Sequence, residues 1–475
     1  MSIRALIVGA AAVLAAAGAV VATGDSPSAL PVERVLAHRV LPTRAALVCP
    51  DTPPPVDAKT MIFAVSPRRS TQGVGHGVKA ALSVAPFSPN ATVLGSQVQP
   101  GVPVEAITKD TGQPSLVLAE GTQAPGVAAA QWSSYAAKRQ SGLAATWCRP
   151  TSNHWWFDAV DTSVGATTTL VVSNPTPGVA VFDLAFYGAH GPIEAPGARG
   201  IPVAPKSRLL LNLARYAPGE ANLTVSLHTS RGRVVAALQT SRVDGVTAAG
   251  TEWVAPAAEP RRDPIVSAGF AGRAKQVLAI TNPGSREALA SVQVLAESGP
   301  YTPSALTSIR IPPGKVVVKD ISSITEPASA ALQVTSNVAV TAATRSQTTA
   351  GSVDFAVASG SAPLTSPTVV PVLPGAQLAL WLTAAPSSAG NVTIESFDKS
   401  GQPGTSERLH LTGGSTKSWT LPAGGDSSYV TVSVDSGTAL HGVANFTSGS
   451  GITSLPLISG VDTIIRPAVT AAPPQ

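Results

Sequence analysis

The segment Leu170-Val-Val-Ser-Asn-Pro175 decides how this chain is organised, because a second version of it, Leu278-Ala-Ile-Thr-Asn-Pro283, follows later. The two Asn-Pro pairs lie 108 positions apart, and Pro205 and Pro313 in the following turns keep the same offset. Two landmarks with one offset indicate duplication. A period of about 100 residues is the size of a whole domain and is longer than the unit of a solenoid.

The pattern within each copy predicts strands. Short β-branched runs alternate with Pro, Gly and Ser turns, and Asn-Pro ends a strand because proline cannot donate to the ladder. A third, fainter copy contains Leu380-Trp-Leu-Thr383. About seven or eight strands per hundred residues favour a sandwich, although the Cys-Trp-Cys core of antibody domains is missing. We therefore predict an all-β protein of tandem immunoglobulin-like or fibronectin-like β-sandwich domains after an N-terminal transmembrane or signal segment.

Proline-rich stretches and changes of pattern divide the chain into seven parts. The predicted parts are a signal anchor or signal peptide (residues 1–24), a proline-rich stalk (25–59), an N-terminal β domain closed by a disulfide (60–150), three β-sandwich repeats (151–257, 264–360 and 368–466) and a loose tail (467–475).

The N-terminus predicts export. Arg4 precedes an uncharged apolar stretch from Ala5 to Ala22. Its length is at the short end of a membrane span and above that of a typical signal-peptide core. A small-residue pattern at Val20-Val-Ala22 also suits a signal peptidase, so anchor and cleaved signal remain open. Either way we expect an extracytoplasmic protein, held at the cell membrane by this segment or secreted.

The two cysteines, Cys49 and Cys148, suit that compartment. One pair in an exported chain most simply forms one disulfide, and the alternative is two unpaired buried thiols. No second cysteine or histidine lies beside either of them at the spacing of a zinc site.

Composition and motifs favour a protein without catalytic chemistry. The formal charge is +5, but the basic residues are scattered and no Lys/Arg run exceeds two residues, so we expect no nucleic-acid partner. The chain has no His-Glu-x-x-His, Walker or Gly-x-Ser-x-Gly motif. We therefore expect no cofactor, no metal and no catalytic residue.

One cluster of aromatic and charged residues is a candidate ligand-binding site. It lies where the N-terminal region meets the first repeat. Exposed tryptophans bind sugars or anchor partners, and arginine or histidine beside them would supply polar contacts. The alternative is that these rings fill the seam between two domains, as the aromatic residues Trp253 and Phe355 of later copies suggest. The candidate residues are Trp132, Trp147, Arg149, His154, Trp155 and Trp156.

Several motifs together resemble an uncharacterised actinobacterial family of secreted or membrane-anchored proteins, known as a domain of unknown function. The resemblance covers most of the chain after the stalk and is strongest over residues 148–215. It implies an envelope location and supplies no catalytic residue. The motifs are Cys49-Pro50, Trp155-Trp-Phe157, Asp161-Thr-Ser-Val-Gly-Ala166, Leu170-Val-Val-Ser-Asn-Pro-Thr-Pro177 and Gly200-Ile-Pro-Val-Ala-Pro-Lys-Ser207.

These features predict a non-enzymatic extracytoplasmic scaffold or interaction protein of the bacterial cell envelope. An envelope protein or a cell-wall glycan would be its partner. One alternative is a carbohydrate-binding or cell-wall-binding protein that uses the tryptophan-rich junction near residues 132–156. A second alternative is an envelope hydrolase without a recognisable motif.

Overall fold

The computed structural model describes most of the chain after residue 37. Its two units are a small one at the chain ends and a large one from Leu41 to Thr463. Both the predicted anchor or signal segment and the predicted tail lie outside the described residues. Among the residues described, no helix is long and apolar enough to cross a membrane. The described ranges are 38–54, 58–68, 78–88, 91–108, 112–137, 140–270, 274–324, 329–348, 353–435, 437–449, 451–460 and 463–466.

In the small unit, strand β1 (His38–Val40) pairs antiparallel with β36 (Ile464–Arg466). Strands are numbered in chain order.

The large unit consists of four β-sandwiches, each with two antiparallel sheets. The first sandwich contains β2 Arg44–Cys49, β3 Ala58–Val65, β4 Ala81–Pro86, β5 Gly95–Gln97, β6 Val104–Thr108, β7 Ser115–Glu120, β8 Ala128–Ala137 and β9 Gln140–Trp147. The second contains β10 His154–Val160, β11 Ala166–Asn174, β12 Ala180–Gly188, β13 Gly191–Ile193, β14 Ile201–Val203, β15 Ser207–Asn212, β16 Leu223–Arg231, β17 Val235–Asp244 and β18 Thr247–Val254.

The third and fourth sandwiches follow in the same manner. The third contains β19 Ile265–Ser267, β20 Ala274–Thr281, β21 Ala288–Ala296, β22 Gly299–Tyr301, β23 Ile309–Ile311, β24 Val316–Asp320, β25 Ala330–Ser336, β26 Thr341–Thr348 and β27 Phe355–Ser359. The fourth contains β28 Thr368–Pro371, β29 Gln377–Ala384, β30 Gly390–Asp398, β31 Pro403–Leu411, β32 Thr416–Thr420, β33 Ser427–Val434, β34 Leu440–Ser448 and β35 Gly451–Pro456. Single 3₁₀ turns lie at Gly121–Gln123, Leu213–Arg215 and Ser304–Leu306.

All four sandwiches share one topology. The outer sheet of the first has the order β2-β7-β4-β5 and its inner sheet the order β6-β3-β8-β9, and the fourth repeats this as β28-β33-β30-β31 and β32-β29-β34-β35. The second and third add one short strand each, β14 and β23. The predicted all-β fold with tandem sandwiches is confirmed, and the N-terminal region is a fourth copy of the repeat. The first two strands of each copy lie in opposite sheets, whereas immunoglobulin domains place them in one.

The structure corrects the two ends of the predicted division. Strand β2 lies within the range 25–59, for which a stalk was predicted, because its apolar residues Leu47 and Cys49 fill the core of the first sandwich. The prolines that suggested a stalk follow that strand. At the other end, β36 lies within the predicted range 368–466 but pairs with β1 instead of joining the fourth sandwich.

The repeated asparagines have the same structural role in the second and third sandwiches. The amide of Asn174 donates to the carbonyl oxygens of Gly178 at 2.8 Å and Val203 at 3.1 Å. Asn282 donates to the corresponding carbonyls at 2.7 and 3.0 Å. Both side chains are buried, and each ties the end of a strand to the next loop. The 108-residue offset in the sequence therefore reflects a repeated hydrogen-bond motif.

The last strands of the four sandwiches, β9, β18, β27 and β35, pack against one another in the middle of the large unit. We call them the central strands. Each one contacts two of the others, so the sandwiches close in a ring of four. Apolar residues of the inner sheets extend across the contacts. Phe63 and Trp132 of the first sandwich share a core with the fourth, and Phe355 of the third shares one with the second.

The central strands begin around one carboxylate, which belongs to Asp354. The backbone N–H groups of Leu143 and Ile452 donate to its Oδ2 at 3.2 and 2.8 Å. Positive-φ glycines of the other three copies surround it, and a Cβ added at Gly142 or Gly250 would lie 2.5 Å from Oδ1. Side chains at these two positions would therefore collide with the carboxylate. We call this group of residues the hub.

A second buried acid, Glu252, is hydrogen-bonded near the middle of the central strands. The Ala145 N–H donates to the Thr453 hydroxyl at 3.1 Å, and that hydroxyl donates to Oε1 of Glu252 at 2.8 Å. This chain of hydrogen bonds joins the first, fourth and second sandwiches. Burial raises the pKa of Glu252 well above its usual range, and it raises the pKa of Asp354 to about 7.

Candidate functional site

The central strands end at a pocket with a volume of about 430 Å³. Three sandwiches contribute to its wall, through Trp147 of the first, Trp155 of the second and Thr368 of the fourth. A neighbouring depression of about 350 Å³ shares Arg149 with this pocket. It extends to Gly360, which directly follows the last strand of the third sandwich. The segments that connect the sandwiches thus meet at this end, and we call the 430 Å³ cavity the axial pocket.

The structure brings five of the six candidate residues together at the axial pocket. Those five are Trp147, Arg149, His154, Trp155 and Trp156. The sixth, Trp132, lies on β8 and packs into the core that the first and fourth sandwiches share, so it does not line the pocket.

The tryptophans at the pocket are held mainly as structural side chains. Trp147 donates from its ring nitrogen to the carbonyl of Pro456 at 2.7 Å, which fastens the first sandwich to the fourth. Trp155 donates to the carbonyl of Val234 at 3.3 Å. Each of these rings is at most 5% exposed. They offer the pocket a rigid apolar wall and no free donor.

Trp156 and His154 form a polar corner at the edge of the pocket. The Trp156 ring nitrogen donates to Oε2 of Glu259 at 3.0 Å, and Nδ1 of His154 lies 3.1 Å from Oε1. The Trp156 ring also stacks on Tyr187, with ring centres 6.0 Å apart. Both oxygens of the Glu259 carboxylate are therefore engaged, and it is the acidic residue of the described pocket lining.

Arg149 follows directly after the disulfide that joins Cys49 and Cys148. Its backbone is fixed from both sides, because the Val48 N–H donates to its carbonyl at 2.8 Å and its own N–H donates to Val48 at 3.0 Å. The predicted disulfide therefore anchors this position. The Arg149 side chain is partly buried and lines the pocket, and burial lowers the pKa of its guanidinium to about 10.

No ion pair or side-chain hydrogen bond of Arg149 occurs within the described part of the chain. Other arginines with comparable burial have carboxylate partners. Arg345 pairs with Asp161 at 3.0 Å, and Arg242 pairs with the same carboxylate. Arg208 pairs with Asp51. Arg149 is thus a cation at a pocket wall that forms no ion pair with any described carboxylate.

Sequence reasoning missed three groups that shape these sites. Arg233 lines the axial pocket and donates to the carbonyl of Thr151 at 3.0 Å. Glu259 lies in the proline-rich segment between the first and second predicted repeats, 151–257 and 264–360. Asp354 precedes a strand in what resembles an ordinary turn, and only the packing of the other three copies reveals it. A signal for Asp354 exists in the glycines that the other copies place before their last strands.

A second depression, of about 790 Å³, lies beside loops of the fourth sandwich, and there Lys399 pairs with Glu105 at 3.1 Å. Within the described ranges, no group of three or more His, Cys, Asp or Glu side chains is arranged to hold a metal ion.

Comparison with known proteins places the sequence in a family. No curated protein matches the chain. Among solved structures, a chain titled "Biofilm associated protein - BSP domain" aligns over 93% of this chain and 100% of its own length, with 8% identity and a TM-score of 0.14. The model of a family of unknown function, DUF5719, matches residues 93–422, which span parts of all four sandwiches. The chain therefore belongs to the family of unknown function DUF5719.

Proposed function

We propose that this protein is a non-enzymatic scaffold or interaction protein of the bacterial cell envelope, and that it works outside the cytoplasm. The observation that carries the proposal is the closed ring of four sandwiches. The last strands of the four sandwiches pack together and fix the sandwiches relative to one another, while outer-sheet strands such as β31 keep exposed residues. A body whose surfaces are fixed relative to one another can hold several partners at once.

The disulfide and the apolar N-terminal stretch support the location. Disulfides persist in oxidising compartments and are rare in the cytosol. Both Cys49 and Cys148 are buried, and they join the start of the first sandwich to the end of its last strand. The stretch from Ala5 to Ala22 would export the chain or anchor it at the membrane.

The location is tested by the redox state of the cysteines in cells. The full chain, trapped with a thiol-blocking reagent, should contain no free thiol. A variant lacking residues 5–22 should keep both thiols reduced, since it would remain in the cytosol. Free thiols in the full chain, or a disulfide in the deletion variant, would contradict an extracytoplasmic location.

The scaffold role is tested by crosslinking in intact envelopes, with photoreactive residues placed on the outer sheets. Thr393 and Arg408 on adjacent strands of the fourth sandwich are suitable positions, and Trp132, a large side chain buried in the core, is the negative control. Discrete crosslinked species from the outer positions and none from position 132 are expected. The absence of partners at every outer face would refute a scaffold.

A second candidate function is the binding of a cell-wall glycan at the axial pocket. The observation that favours it is the position of Trp156, which lies at the pocket edge and stacks on Tyr187. Trp156→Phe keeps an aromatic face and removes the N–H that reaches Glu259, whereas Trp156→Ala removes both. If both variants bind purified cell wall as the original chain does, the pocket is not a glycan site.

A further inference from the structure

Arg149 occupies a position where the repeat itself does not require an arginine. In the first sandwich it forms a single β-bridge with Val48. At the matching place, Ala257 bridges to Trp156 in the second copy, and Ser361 bridges to Ile265 in the third. Small residues therefore satisfy this position in the second and third copies.

The pocket around Arg149 combines two arginines and one acid with neutral donors and an apolar wall. Arg233 adds a second cation at the rim. Thr151, Ser152 and Ser459 add hydroxyl groups to the lining. Glu259 contacts Trp156 and His154, and neither arginine forms an ion pair with it in the described part of the chain.

An arginine without a counter-ion at a pocket wall is suited to bind an anionic ligand. Burying a cation without a counter-ion is unfavourable, and folded proteins normally pair it. The planar guanidinium fork matches two oxygens of a carboxylate or a phosphate and forms strong charge-assisted hydrogen bonds with them. A concave site with an apolar wall and a few convergent polar groups is the usual form of a small-ligand site.

We propose that the axial pocket binds an acidic saccharide, whose carboxylate or phosphate pairs with Arg149 while its ring rests against the tryptophan wall. The volume of about 430 Å³ is in the range of small-ligand pockets. This proposal deepens the second candidate function, glycan binding at the same pocket, and is independent of the scaffold role. The disulfide and the Val48 bridge hold the arginine backbone in place before the ligand arrives.

The test compares three probes that share one ring, namely glucose, glucuronate and glucose 6-phosphate, in titrations of the full chain followed by tryptophan fluorescence. At least one acidic sugar should bind about ten-fold or more tightly than glucose, since a charge-assisted pair is worth more than about 1.4 kcal/mol. Tighter binding of glucuronate would identify the acidic group of the ligand as a carboxylate, and tighter binding of glucose 6-phosphate would identify it as a phosphate. Similar binding of both would show that Arg149 recognises either oxyanion. Equal binding of all three, or no binding of any, overturns the proposal.

Variants assign the effect to the arginine. Arg149→Gln should reduce the affinity for the acidic sugars to about that for glucose, whereas Arg149→Lys should keep part of the preference. Arg310→Gln, on an exposed arginine paired with Glu287, is the matched control and should bind like the original chain. Arg149→Gln with undiminished preference would overturn the assignment. If that variant does not fold, the wild-type comparison of acidic and neutral sugars and the Arg149→Lys variant still decide the matter. If Arg149→Gln loses the preference for acidic sugars but still forms the envelope crosslinks described above, the sugar site and the scaffold role are separate functions.

Discussion

The hub and the axial pocket lie at the two ends of the same repeated strands, but they surround an ionisable side chain in opposite ways. At the hub, Asp354 accepts hydrogen bonds from two backbone N–H groups, and glycines leave it no free space. At the axial pocket, Arg149 lines an open cavity and has no carboxylate partner among the described residues. The hub fits a role in holding the ring together, and the axial pocket fits a role in binding.

The difference shows how a repeat can divide its tasks. Three copies supply glycine where the third copy supplies Asp354, so one side chain fills a space that three backbones leave. At the other end, Ala257 and Ser361 stand where the first copy has Arg149. Asp354 departs from the repeat and fills the hub, whereas Arg149 departs from the repeat and presents a charge to a ligand in the axial pocket.

The largest effect is expected from crowding the hub. Gly250→Ala should lower the free energy of unfolding by about 4 kcal/mol, because the new methyl group meets Asp354 and the residue keeps a positive φ. Gly437→Ala is the matched control, since Gly437 also has a positive φ and nothing lies within 4 Å of an added Cβ. Its cost should be about 1 kcal/mol. Chemical denaturation measures both, and equal costs would show that the hub is loosely packed.

Removal of the hub acceptor should have the next largest effect. Asp354→Ala leaves the N–H groups of Leu143 and Ile452 without their partner and should cost about 3 kcal/mol at pH 7. Asp354→Asn keeps one acceptor oxygen and should cost about 1 kcal/mol or less. The same denaturation series separates them. If the two variants are equally stable, those N–H groups do not depend on the carboxylate.

The hub also predicts a pH dependence. Burial raises the pKa of Asp354 from 3.8 to about 7, and it raises the pKa of Asp158, a buried acid of strand β10 outside the hub, from 3.8 to about 6. Between about pH 4 and 7 the folded protein therefore holds protons that the unfolded chain has lost, so stability should fall as the pH rises. The slope is about 1.4 kcal/mol per pH unit for each group at most. Asp354→Asn should flatten the part of the slope near pH 6–7, and an unchanged slope would contradict the assignment to Asp354.

The smallest expected effect on stability distinguishes an arginine with a carboxylate partner, Arg345, from Arg149, which has none among the described residues. Arg345→Gln removes a partner of the buried Asp161 and should destabilise the protein by about 1 kcal/mol, because Arg242 still pairs with that carboxylate. Arg149→Gln loses no such pair, so its stability should be unchanged or slightly higher. Melting temperatures in the absence of ligand compare them. A clear loss of stability in Arg149→Gln would mean that the residue has a structural partner.

The sequence allowed the sandwiches to be predicted because strand ends and turns are local features. A proline follows the second strand in all four copies, after Ser66, Asn174, Asn282 and Ala385. The first copy keeps the 108-residue offset but has serine in place of asparagine, and for that reason it was not recognised as a repeat. Repeated aromatic residues were correctly expected in cores, as the full burial of Trp253 confirms.

The closure of the ring could not be predicted, because it depends on contacts between residues hundreds of positions apart. Gly142, Gly250 and Asp354 each look like ordinary turn residues until the four copies are brought together. Five of the six candidate residues lie together at the axial pocket because they are close in sequence, and their role in binding stays a prediction. Trp132 was misplaced because its strand directs that side chain into the core shared with the fourth sandwich.

Calorimetry of the full chain, with its disulfide intact, tests most directly whether the four sandwiches form one body around the hub. A closed ring should unfold in one cooperative transition whose calorimetric enthalpy is close to the van't Hoff enthalpy. Gly250→Ala should shift that whole transition to lower temperature. Several separable transitions, or a calorimetric enthalpy about four times the van't Hoff value, would show four independent domains in a row and would contradict the closed ring.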